Sequence, residues 1–359
     1  MRLASVALTR AGVAASARLP QALAPVDRYV PARLAIAEDN ALPYEPPARE
    51  LLARLFPAYD GLILFMALGA AVRLLAPLLR DKQSDPAVVV VDETATFAIS
   101  VLSGHIGGAN ALTREVAAAL GATPVITTAS DGRGLPALDL LGRTAGWRLE
   151  AIGQSVKRAS AAMLNGETLL IYQDAGDTDW QRDIPAGQCR LCTDLAELAA
   201  ASDAVGAAVF ITDRVLGDLP NRLSCPYVLY RPPTLVVGIG CSRGAPADEI
   251  EALLLAALVE AGVSAHALHA FATIDLKRDE PGIGELARRY HLPVSYFSAS
   301  QLATVRVPNP SPVVEAAVGT PGVCEPAALL AAGATELLLP KRKSAHATVA
   351  LARRAEVTA

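Results

Sequence analysis

The sequence is poor in aromatic side chains, in net charge and in long apolar runs, and each shortage excludes a class of protein. Aromatic residues make up 4% of the 359 residues, too few for the stacking platforms that bind single-stranded nucleic acid. The formal net charge is −4, which argues against a nucleic-acid partner but leaves room for a local basic pocket. The longest apolar run, Leu62–Val72, covers 11 residues, whereas a membrane-spanning helix needs about 20. We therefore expect neither a nucleic-acid partner nor a membrane segment.

Cysteine is also scarce. The five cysteines are an odd number without the spacing of a disulfide framework, which indicates a reducing compartment, and we expect a cytoplasmic protein. Cys189 and Cys192 form one C-x-x-C pair, which is half a zinc site at best, and the next histidine along the chain is His266. We interpret the pair as two ordinary thiols beside a loop, and we expect no metal site and no cofactor.

The rest of the chain alternates strand-like and helix-like segments, the pattern of a parallel α/β architecture. Ala87–Val91 is a continuous run of small and β-branched residues, as expected of a strand buried on both faces. Phe97–Leu102 is predicted to be a strand, and Asn110–Leu120 a helix that ends at Gly121. The predicted fold is a multidomain α/β protein, with a parallel-sheet, Rossmann-like amino-terminal unit and a separate α/β carboxyl-terminal domain.

Domain boundaries are predicted from a proline-rich segment and from changes in how clearly the sequence indicates strands and helices. Arg231-Pro232-Pro233 is a stiff, extended joint and the best boundary in the sequence. We predict an amino-terminal domain over residues 1–130, a middle α/β region over 131–231 with weaker signals, and a carboxyl-terminal domain over 233–354. In the last of these, Leu235–Ile239 indicates a strand, and the helix that follows has one apolar face.

The most informative stretch for chemistry is the glycine-rich turn at residues 103–110, between a predicted strand and a predicted helix. Ser103 and His105 follow the carboxyl end of the strand, where α/β sheets place their ligands. Free N–H groups at the helix start, including that of Asn110, would attract a carboxylate or a developing oxyanion. Three glycines let the backbone approach a ligand closely: Gly104, Gly107 and Gly108. The alternative is an ordinary tight turn with a hydrogen-bonded histidine.

Carboxylates follow two other predicted strands. Asp92 and Glu93 come after the β-branched run, and Asp131 comes after Pro124–Thr128. In a parallel sheet these carboxylates and His105 would converge along one edge, although each alone is more often a cap or a solvated loop residue. The candidate catalytic residues are His105, Ser103 and Asp131.

A second glycine-rich turn, Gly238–Gly244, opens the last domain. It lacks the glycine at the sixth position that the dinucleotide fingerprint requires, which disfavours a nucleotide-dependent enzyme of Rossmann type. Arg243 could still hold an anion at the following helix start. Lys277 and Glu280 could line a cleft, and an ordinary ion-paired loop is an equal alternative.

At this point the motifs resemble those of the CbiG family of the anaerobic cobalamin pathway. In the first half, the matching motifs are Gly69–Arg73, Asp81-Lys82, Asp85–Val88, Val91–Glu93, Ser103–Asn110 and Val125–Thr128. In the tail, they are Val237–Cys241, Arg243-Gly244, Ile274–Lys277 with Glu280, Val318–Pro321, Glu325, Pro340-Lys341 and Thr348–Ala350. The tail also resembles CobE, a small stand-alone protein of the aerobic route.

The resemblance implies hydrolysis of cobalt-precorrin-5A, an anionic cobalt tetrapyrrole. Water opens its δ-lactone, and the extruded two-carbon unit leaves as acetaldehyde to give cobalt-precorrin-5B. Attack by water needs a general base and an oxyanion site, so the hypothesis makes His105 the base and Gly107, Gly108 and Asn110 the anion site. Ser103 is disfavoured as a covalent nucleophile because the sequence lacks a G-x-S-x-G elbow.

Residues expected to contact the substrate include cations that would bind its carboxylates. Outside the glycine-rich turn at residues 103–110, the full set of expected contact residues is Arg73, Lys82, Gly240, Arg243, Lys277 and Glu280. Cobalt arrives chelated in the substrate, so no protein metal site is required. The resemblance also implies hand-over contacts with neighbouring methyltransferases of the corrin pathway. The CobE-like tail leaves a second function open, namely non-catalytic binding or carriage of corrinoid intermediates.

The missing dinucleotide fingerprint predicts that the protein does not bind nucleotides, and this can be measured. NAD or ATP should leave the melting temperature of the protein unchanged, because a ligand that does not bind the native state cannot stabilise it. Thermal unfolding over a series of nucleotide concentrations measures this. A melting temperature that rises with nucleotide concentration would favour the nucleotide-dependent enzyme instead.

Overall fold

The computed structural model describes residues 1–19, 23, 25–35, 40–81, 84–105, 107–129, 131, 134–150, 154–185 and 187–355. The chain divides into two compact units, Met1–Leu140 and Leu141–Ala359. Among these residues, the first unit contains one sheet and the second contains two, and in each sheet parallel strands are accompanied by antiparallel ones.

The first unit is a seven-stranded sheet with strand order β3-β2-β1-β4-β5-β6-β7. Its strands are β1 (Leu3–Ala7), β2 (Val26–Pro31), β3 (Leu42–Tyr44), β4 (Gly61–Phe65), β5 (Ala87–Val91), β6 (Phe97–Leu102) and β7 (Thr123–Val125). Its helices are α1 (Arg10–Ser16), α2 (Ala48–Leu55), α3 (Leu68–Leu75) and α4 (Ala109–Leu120). Five neighbouring strands run parallel in the doubly wound order β3-β2-β1-β4-β5. This arrangement confirms the Rossmann-like prediction for this part of the sheet.

Strand β5 shows why the sheet needs a helix layer on each face. All five of its residues are buried. Val88 and Val90 pack with the apolar faces of α2 and α3, whereas Val89 and Val91 pack with those of α1 and α4. The prediction of a strand buried on both faces is therefore confirmed. The predicted helix after the glycine-rich turn is confirmed as well, and it ends at Gly121 with a positive φ of 67°.

The parallel-sheet prediction holds for most of this sheet, and the direction of the strands reverses at β6. Strand β6 runs antiparallel to β5, and β7 runs parallel to β6. The connection covers only residues 92–96, whereas a parallel crossover needs about a dozen or more residues. Asp92 closes the hairpin, because its Oδ1 accepts a hydrogen bond from the Phe97 N–H at 2.6 Å and its Oδ2 one from the Thr94 N–H at 3.2 Å. The turn after β6 consequently lies at the edge of the sheet where β1 to β5 begin.

The second unit contains two five-stranded sheets. One has the order β10-β9-β11-β12-β8 and the other the order β15-β14-β13-β17-β16. The strands are β8 (Arg148–Leu149), β9 (Leu169–Gln173), β10 (Cys189–Cys192), β11 (Ala207–Ile211), β12 (Tyr227–Arg231), β13 (Leu235–Cys241), β14 (Leu268–Ile274), β15 (Val294–Phe297), β16 (Leu339–Lys343) and β17 (Ala347–Arg353). The helices are α5 (Gln154–Leu164), α6 (Leu195–Ala201), α7 (Ala247–Ala261), α8 (Pro281–Tyr290), α9 (Ala299–Ala303), α10 (Pro312–Val318) and α11 (Cys324–Ala332).

Buried charges join these two sheets. Asp213 follows β11 and is fully buried, and its carboxylate accepts hydrogen bonds from Arg353 Nε at 2.7 Å and from Nη2 at 2.9 Å. Thr234 donates to the same carboxylate at 2.7 Å. The buried guanidinium of Arg231 donates to the carbonyl oxygen of Thr212 at 3.0 Å. Polar contacts from both sheets therefore hold the proline-rich joint in place. Removal of one partner would leave a buried charge unpaired, which is costly.

The five cysteines are free thiols, and Cys192, Cys225 and Cys324 are buried. The C-x-x-C pair lies within β10, rather than beside a loop as interpreted from the sequence, and Cys192 packs in the core beneath that sheet. Over the part of the chain that the structure describes, no helix is both long and apolar enough to cross a bilayer.

Gly238 in β13 allows α11 to pack directly on the third sheet. A Cβ atom at this position would lie 1.8 Å from the carbonyl oxygen of Cys324. Backbone atoms cannot move aside as the end of a flexible side chain can. This glycine of the second glycine-rich turn is therefore required for helix–sheet packing.

We expect Gly238→Ala to destabilise the second unit by roughly 3 kcal/mol, the upper end of ordinary overpacking, because the clash is with backbone. Gly284 in α8 is a matched control, since a Cβ there meets no atom within 4 Å. Gly284→Ala should stabilise by roughly 0.5–1 kcal/mol, because glycine is unfavourable inside a helix. Thermal unfolding midpoints of the two variants measure the contrast, and equal midpoints would contradict the packing role of Gly238.

Candidate active site

The turn between β6 and α4 has an unusual backbone and is tied to the sheet. Ser103 has a positive φ of 57°, and Gly108 has one of 87°. The Ser103 hydroxyl donates to the carbonyl oxygen of Asp85 at 2.8 Å, just before β5 begins. This bond holds the turn against the edge where the parallel strands start. It also gives Ser103 a structural contact that the sequence did not indicate.

The glycines let this turn fold back on itself. A Cβ at Gly107 would lie 2.3 Å from Ser103 Cβ, and one at Gly104 would lie 2.8 Å from Asn110 Oδ1. The Gly108 N–H donates to His105 O at 2.9 Å, and the Asn110 N–H donates to Gly104 O at 3.0 Å. The expectation that these two N–H groups are free to bind an anion is therefore wrong, because the closed turn already uses them.

The imidazole of His105 lies between two carboxylates. Its Nε2 is 3.3 Å from Asp131 Oδ2, and its Nδ1 is 3.8 Å from Asp139 Oδ1. The exposed fractions of the three side chains are 27% for His105, 19% for Asp131 and 23% for Asp139. We call these three residues the histidine site. Because each side chain is partly exposed, a water molecule or a substrate group can reach the ring.

Hydrogen bonds occupy both oxygens of Asp131. Its Oδ2 accepts from Thr128 Oγ1 at 2.6 Å and from Asn110 Nδ2 at 2.8 Å, while its Oδ1 accepts from Arg114 Nη2. Asn110 is buried and is fixed in turn by Ser100, whose hydroxyl donates to Asn110 Oδ1 at 2.7 Å. Burial alone would raise the pKa of Asp131, but the bonds from Thr128 and Arg114 outweigh it and lower the pKa. An ionised carboxylate that is held in place by these donors is suited to orient the imidazole.

Three members of this arrangement were not among the site residues predicted from the sequence: Thr128, Arg114 and Asp139. Asp139 lies beyond the predicted domain boundary at residue 130, yet the first unit extends to Leu140 and brings it to His105. The expected convergence of Asp92 and Glu93 with His105 is wrong, because the β5–β6 hairpin puts them at opposite edges of the sheet.

Arg73 and Lys82 were expected to bind substrate carboxylates. Arg73 is exposed, and its Nη1 donates to the carbonyl oxygen of Gly69 at 3.0 Å, in the first turn of α3. That turn follows the carboxyl end of β4, at the edge opposite His105. Lys82 lies outside the described residues.

The second unit brings its own predicted residues together. The nearly buried carboxylate of Glu280 accepts hydrogen bonds from Lys277 Nζ at 3.0 Å and from the Gly244 N–H at 2.6 Å. Burial would raise the pKa of Glu280, but these two bonds and the nearby charge of Arg243 lower it. Gly240 accepts at its carbonyl oxygen from Thr348 Oγ1 at 3.2 Å. Gly240 lies near the end of β13, Gly244 follows that strand, and Lys277 and Glu280 follow β14. The two strands run parallel and end at the same edge.

A cavity of about 590 Å³ in the first unit lies away from the histidine site. It is lined by Arg10, Val13, Ala14, Ala17, Arg33, Leu34 and Ala35, which follow the carboxyl ends of β1 and β2. None of the predicted site residues belongs to this lining. The histidine site is therefore identified by the contacts and chemistry of its side chains, and not by the volume of a cavity.

Three family models match successive parts of the chain. The model described as "Cobalamin synthesis G N-terminal" matches residues 50–131, and "Cobalamin biosynthesis central region" matches residues 136–232. "Cobalamin synthesis G C-terminus" matches residues 235–352. The three matches follow one another in the order of the three sheets.

Named relatives cover nearly the whole chain. The chain is 40% identical over 355 residues to "Cobalt-precorrin-5A hydrolase" of Priestia megaterium, covering 97% of this chain and 94% of that protein. It is 35% identical over 335 residues to the protein of the same name from Salmonella typhimurium, covering 91% of each. "Protein CobE" of Sinorhizobium sp is 41% identical over 121 residues, covering 33% of this chain and 79% of CobE.

Asp131→Asn should destabilise the first unit by roughly 2 kcal/mol at neutral pH, because charged hydrogen bonds are lost in a partly buried site. The native pKa of Asp131 is lowered, so its stabilisation is present above the unfolded pKa of about 4 and is lost as pH falls through the native pKa. The gap between wild type and variant should therefore be wide at pH 7 and narrow in acid.

Urea unfolding at neutral pH and at a series of acid pH values measures this gap. Glu93→Gln is the matched control, because Glu93 is an exposed carboxylate of the same unit and should leave the midpoint unchanged. A gap between wild type and Asp131→Asn that stays constant from neutral to acid pH would refute the ionised state of Asp131.

Proposed function

The chain belongs to the CbiG family of cobalamin biosynthesis, and we propose that it hydrolyses cobalt-precorrin-5A through the histidine site. The observation that carries the catalytic assignment is a partly exposed imidazole held at hydrogen-bond distance from Asp131, a carboxylate that Thr128 and Asn110 hold in place. Relatives of nearly full length that are named for this hydrolysis support the substrate and the reaction.

The first step is the opening of the lactone by water. His105 takes a proton from water as the oxygen attacks the lactone carbonyl carbon, and Asp131 holds the ring in place through Nε2. The tetrahedral intermediate collapses, the ring C–O bond breaks, and His105 returns the proton to the leaving oxygen. The imidazolium that forms in between is stabilised by the charge of the neighbouring carboxylate.

The second step releases acetaldehyde. The freed hydroxyl gives its proton to His105, the C–C bond to the macrocycle breaks, and acetaldehyde leaves. The electron pair remains on the macrocycle carbon, which takes up a proton. One base therefore serves both steps, because each step begins with removal of a proton from oxygen.

Within the second unit, cations are proposed to bind carboxylates of the tetrapyrrole. Lys277 keeps two further N–H donors beyond its bond to Glu280, and Arg243 is exposed beside the same turn. Arg73 and Lys82 in the first unit and Gly240 in the second are further proposed contacts of the tetrapyrrole. Glu280 orders the Lys277 ammonium and does not itself bind the anion.

The cellular setting is part of the proposal. Cobalt arrives chelated in the substrate, and neighbouring methyltransferases of the corrin pathway hand over the substrate and receive the product. A cytoplasmic location is supported by five free thiols, since oxidising compartments favour disulfides.

His105→Ala should lower acetaldehyde release by about 10²–10⁴-fold, the usual contribution of a general base. The absorbance change that accompanies substrate binding should persist, because the proposed carboxylate-binding cations are untouched. His291→Asn is the control, since His291 is exposed in the second unit and asparagine tolerates its positive φ of 53°.

The assay follows acetaldehyde after mixing protein with cobalt-precorrin-5A. Full activity of the His105→Ala variant would overturn the histidine site as the catalytic centre. Wild-type protein that binds the substrate without releasing acetaldehyde would favour the carrier function that the CobE-like tail leaves open.

A further inference from the structure

We infer that His346 is a further substrate-binding residue, whose ring nitrogen Nε2 donates a hydrogen bond to a carboxylate of the tetrapyrrole. The inference rests on the proposed function, because Arg243 and Lys277 are the proposed carboxylate-binding cations of the same unit. It adds a third side-chain donor to them, from the hairpin between β16 and β17.

The hairpin places His346 at the carboxyl edge of the third sheet. In β17, Ala347 pairs with the last residue of β13. The carbonyl oxygen of His346 accepts a hydrogen bond from the Ser242 N–H at 2.8 Å. Arg243 is the next residue of that turn, and Lys277 follows the parallel neighbour β14. His346 therefore lies at the edge where the two proposed cations lie, which is the usual ligand edge of an α/β sheet.

The backbone of the turn after β13 already uses several of its donors. The Ser242 N–H donates to His346, as described, and the Gly244 N–H donates to Glu280 Oε1 at 2.6 Å. The Ala245 N–H donates to the carbonyl oxygen of Ser242 at 3.3 Å. A ligand carboxylate at this edge consequently depends on side-chain donors.

Glu249, in the first turn of α7, fixes the imidazole of His346. Its Oε2 is 3.0 Å from His346 Nδ1, and its Oε1 accepts from the His346 N–H at 2.7 Å and from Ser344 Oγ at 2.5 Å. The bond from Ser344, followed by those from His346, lowers the pKa of Glu249 to about 2. The carboxylate is therefore ionised at neutral pH.

The ionised carboxylate decides which ring nitrogen meets a ligand. It can only accept hydrogen bonds, so Nδ1 of His346 carries a hydrogen. Nδ1 keeps that hydrogen in the neutral ring and in the imidazolium, and the second proton is gained and lost at Nε2. Within the described residues the ring is bonded through Nδ1, and the side chain is 59% exposed. Nε2 of the protonated ring is thus open to a carboxylate.

A second exposed histidine of this unit lacks these features. Nδ1 of His266 is 3.6 Å from Glu150 Oε1, outside the usual hydrogen-bond range of about 2.7–3.2 Å. The other oxygen of that carboxylate accepts from Arg231 Nε. His266 lies just before β14, at the edge opposite the cations, and its side chain is 55% exposed. It is therefore a matched control for His346.

Binding through the imidazolium should depend on pH. The charged side chains on the elements next to His346 are Asp248, Glu249 and Glu251 of α7, Arg243 of the turn after β13, Lys277 and Glu280 after β14, and Lys343 of β16. Carboxylates titrate well below neutral pH, and lysine and arginine well above it. Burial raises the pKa of the neighbouring Cys241 thiol to about 11, so it stays neutral. As the pH rises, His346 therefore loses its Nε2 proton and its hold on a carboxylate, while these other charges remain.

The test measures how tightly the full chain binds uroporphyrin, a metal-free tetrapyrrole with carboxylate side chains, by fluorescence titration at about pH 6 and about pH 8. At the lower pH, His346→Gln should raise the Kd roughly fivefold, the size of one exposed ion pair. At the higher pH, wild type and His346→Gln should bind nearly equally, because the neutral ring has no charge to lose. His346→Arg should bind tightly at both pH values, and His266→Gln should match wild type at both.

A merely structural effect has a different signature. A hairpin displaced by the substitution would weaken binding by the same factor at both pH values, and this result would overturn the inference. Equal Kd values for wild type and His346→Gln at the lower pH, or an equal loss in His266→Gln, would overturn it as well.

The proposed function fails in other ways. Arg243→Gln and Lys277→Gln variants that bind uroporphyrin as tightly as wild type would remove the proposed cations, and a wild-type protein that does not bind it would remove them together with the inference. Wild-type protein that binds the probe but releases no acetaldehyde from cobalt-precorrin-5A would overturn the hydrolysis and leave the role of His346 in binding intact.

Discussion

The short connection between β5 and β6 constrains the whole first unit. Residues 92–96 cannot span a parallel crossover, and the carboxylate of Asp92 closes them into a hairpin by accepting the N–H groups of Thr94 and Phe97. Strand β6 must then run against β5, and β7 follows it. The glycine-rich turn with His105 therefore lies at the edge where the parallel strands begin. An α/β sheet that normally binds at its carboxyl edge thus presents its imidazole at the opposite one.

Order within the histidine site is built outward from buried contacts. Ser100 fixes Asn110, and Asn110 and Thr128 fix Asp131, which then holds the ring of His105. The innermost groups have little freedom, so their hydrogen bonds cost little entropy when the site is formed. The outer groups, His105 and Asp139, remain partly exposed.

Two buried carboxylates of the second unit are likewise paired. Asp213 is satisfied by Arg353 and Thr234, and Glu280 is satisfied by Lys277 and the Gly244 N–H. The first arrangement joins two sheets, whereas the second leaves a cation at a strand edge with donors to spare. The pairing of Asp213 with Arg353 spans 140 positions of the sequence, and no spacing pattern could have indicated it.

Local patterns in the sequence determined which segments became strands and helices. Ala87–Val91, Phe97–Leu102 and the helix ending before Gly121 follow from β-branched runs, periodicity and a glycine stop, all of which act over a few residues. The glycine-rich turn and its histidine were also visible, because backbone freedom and a rare residue type are local properties. The motifs were sufficient to indicate the family before any fold was known.

Tertiary structure alone decided strand direction at β6, the bonding inside the turn and the carboxylates that surround His105. The expected free N–H groups of Gly108 and Asn110 are bonded, because the turn closes on itself in three dimensions. Asp139 lies 34 positions after His105, in a segment with no motif, and only the packing of residues up to Leu140 on the first unit brings it to Nδ1. Contacts between distant positions depend on how whole elements pack, and that information is absent from any short stretch of sequence.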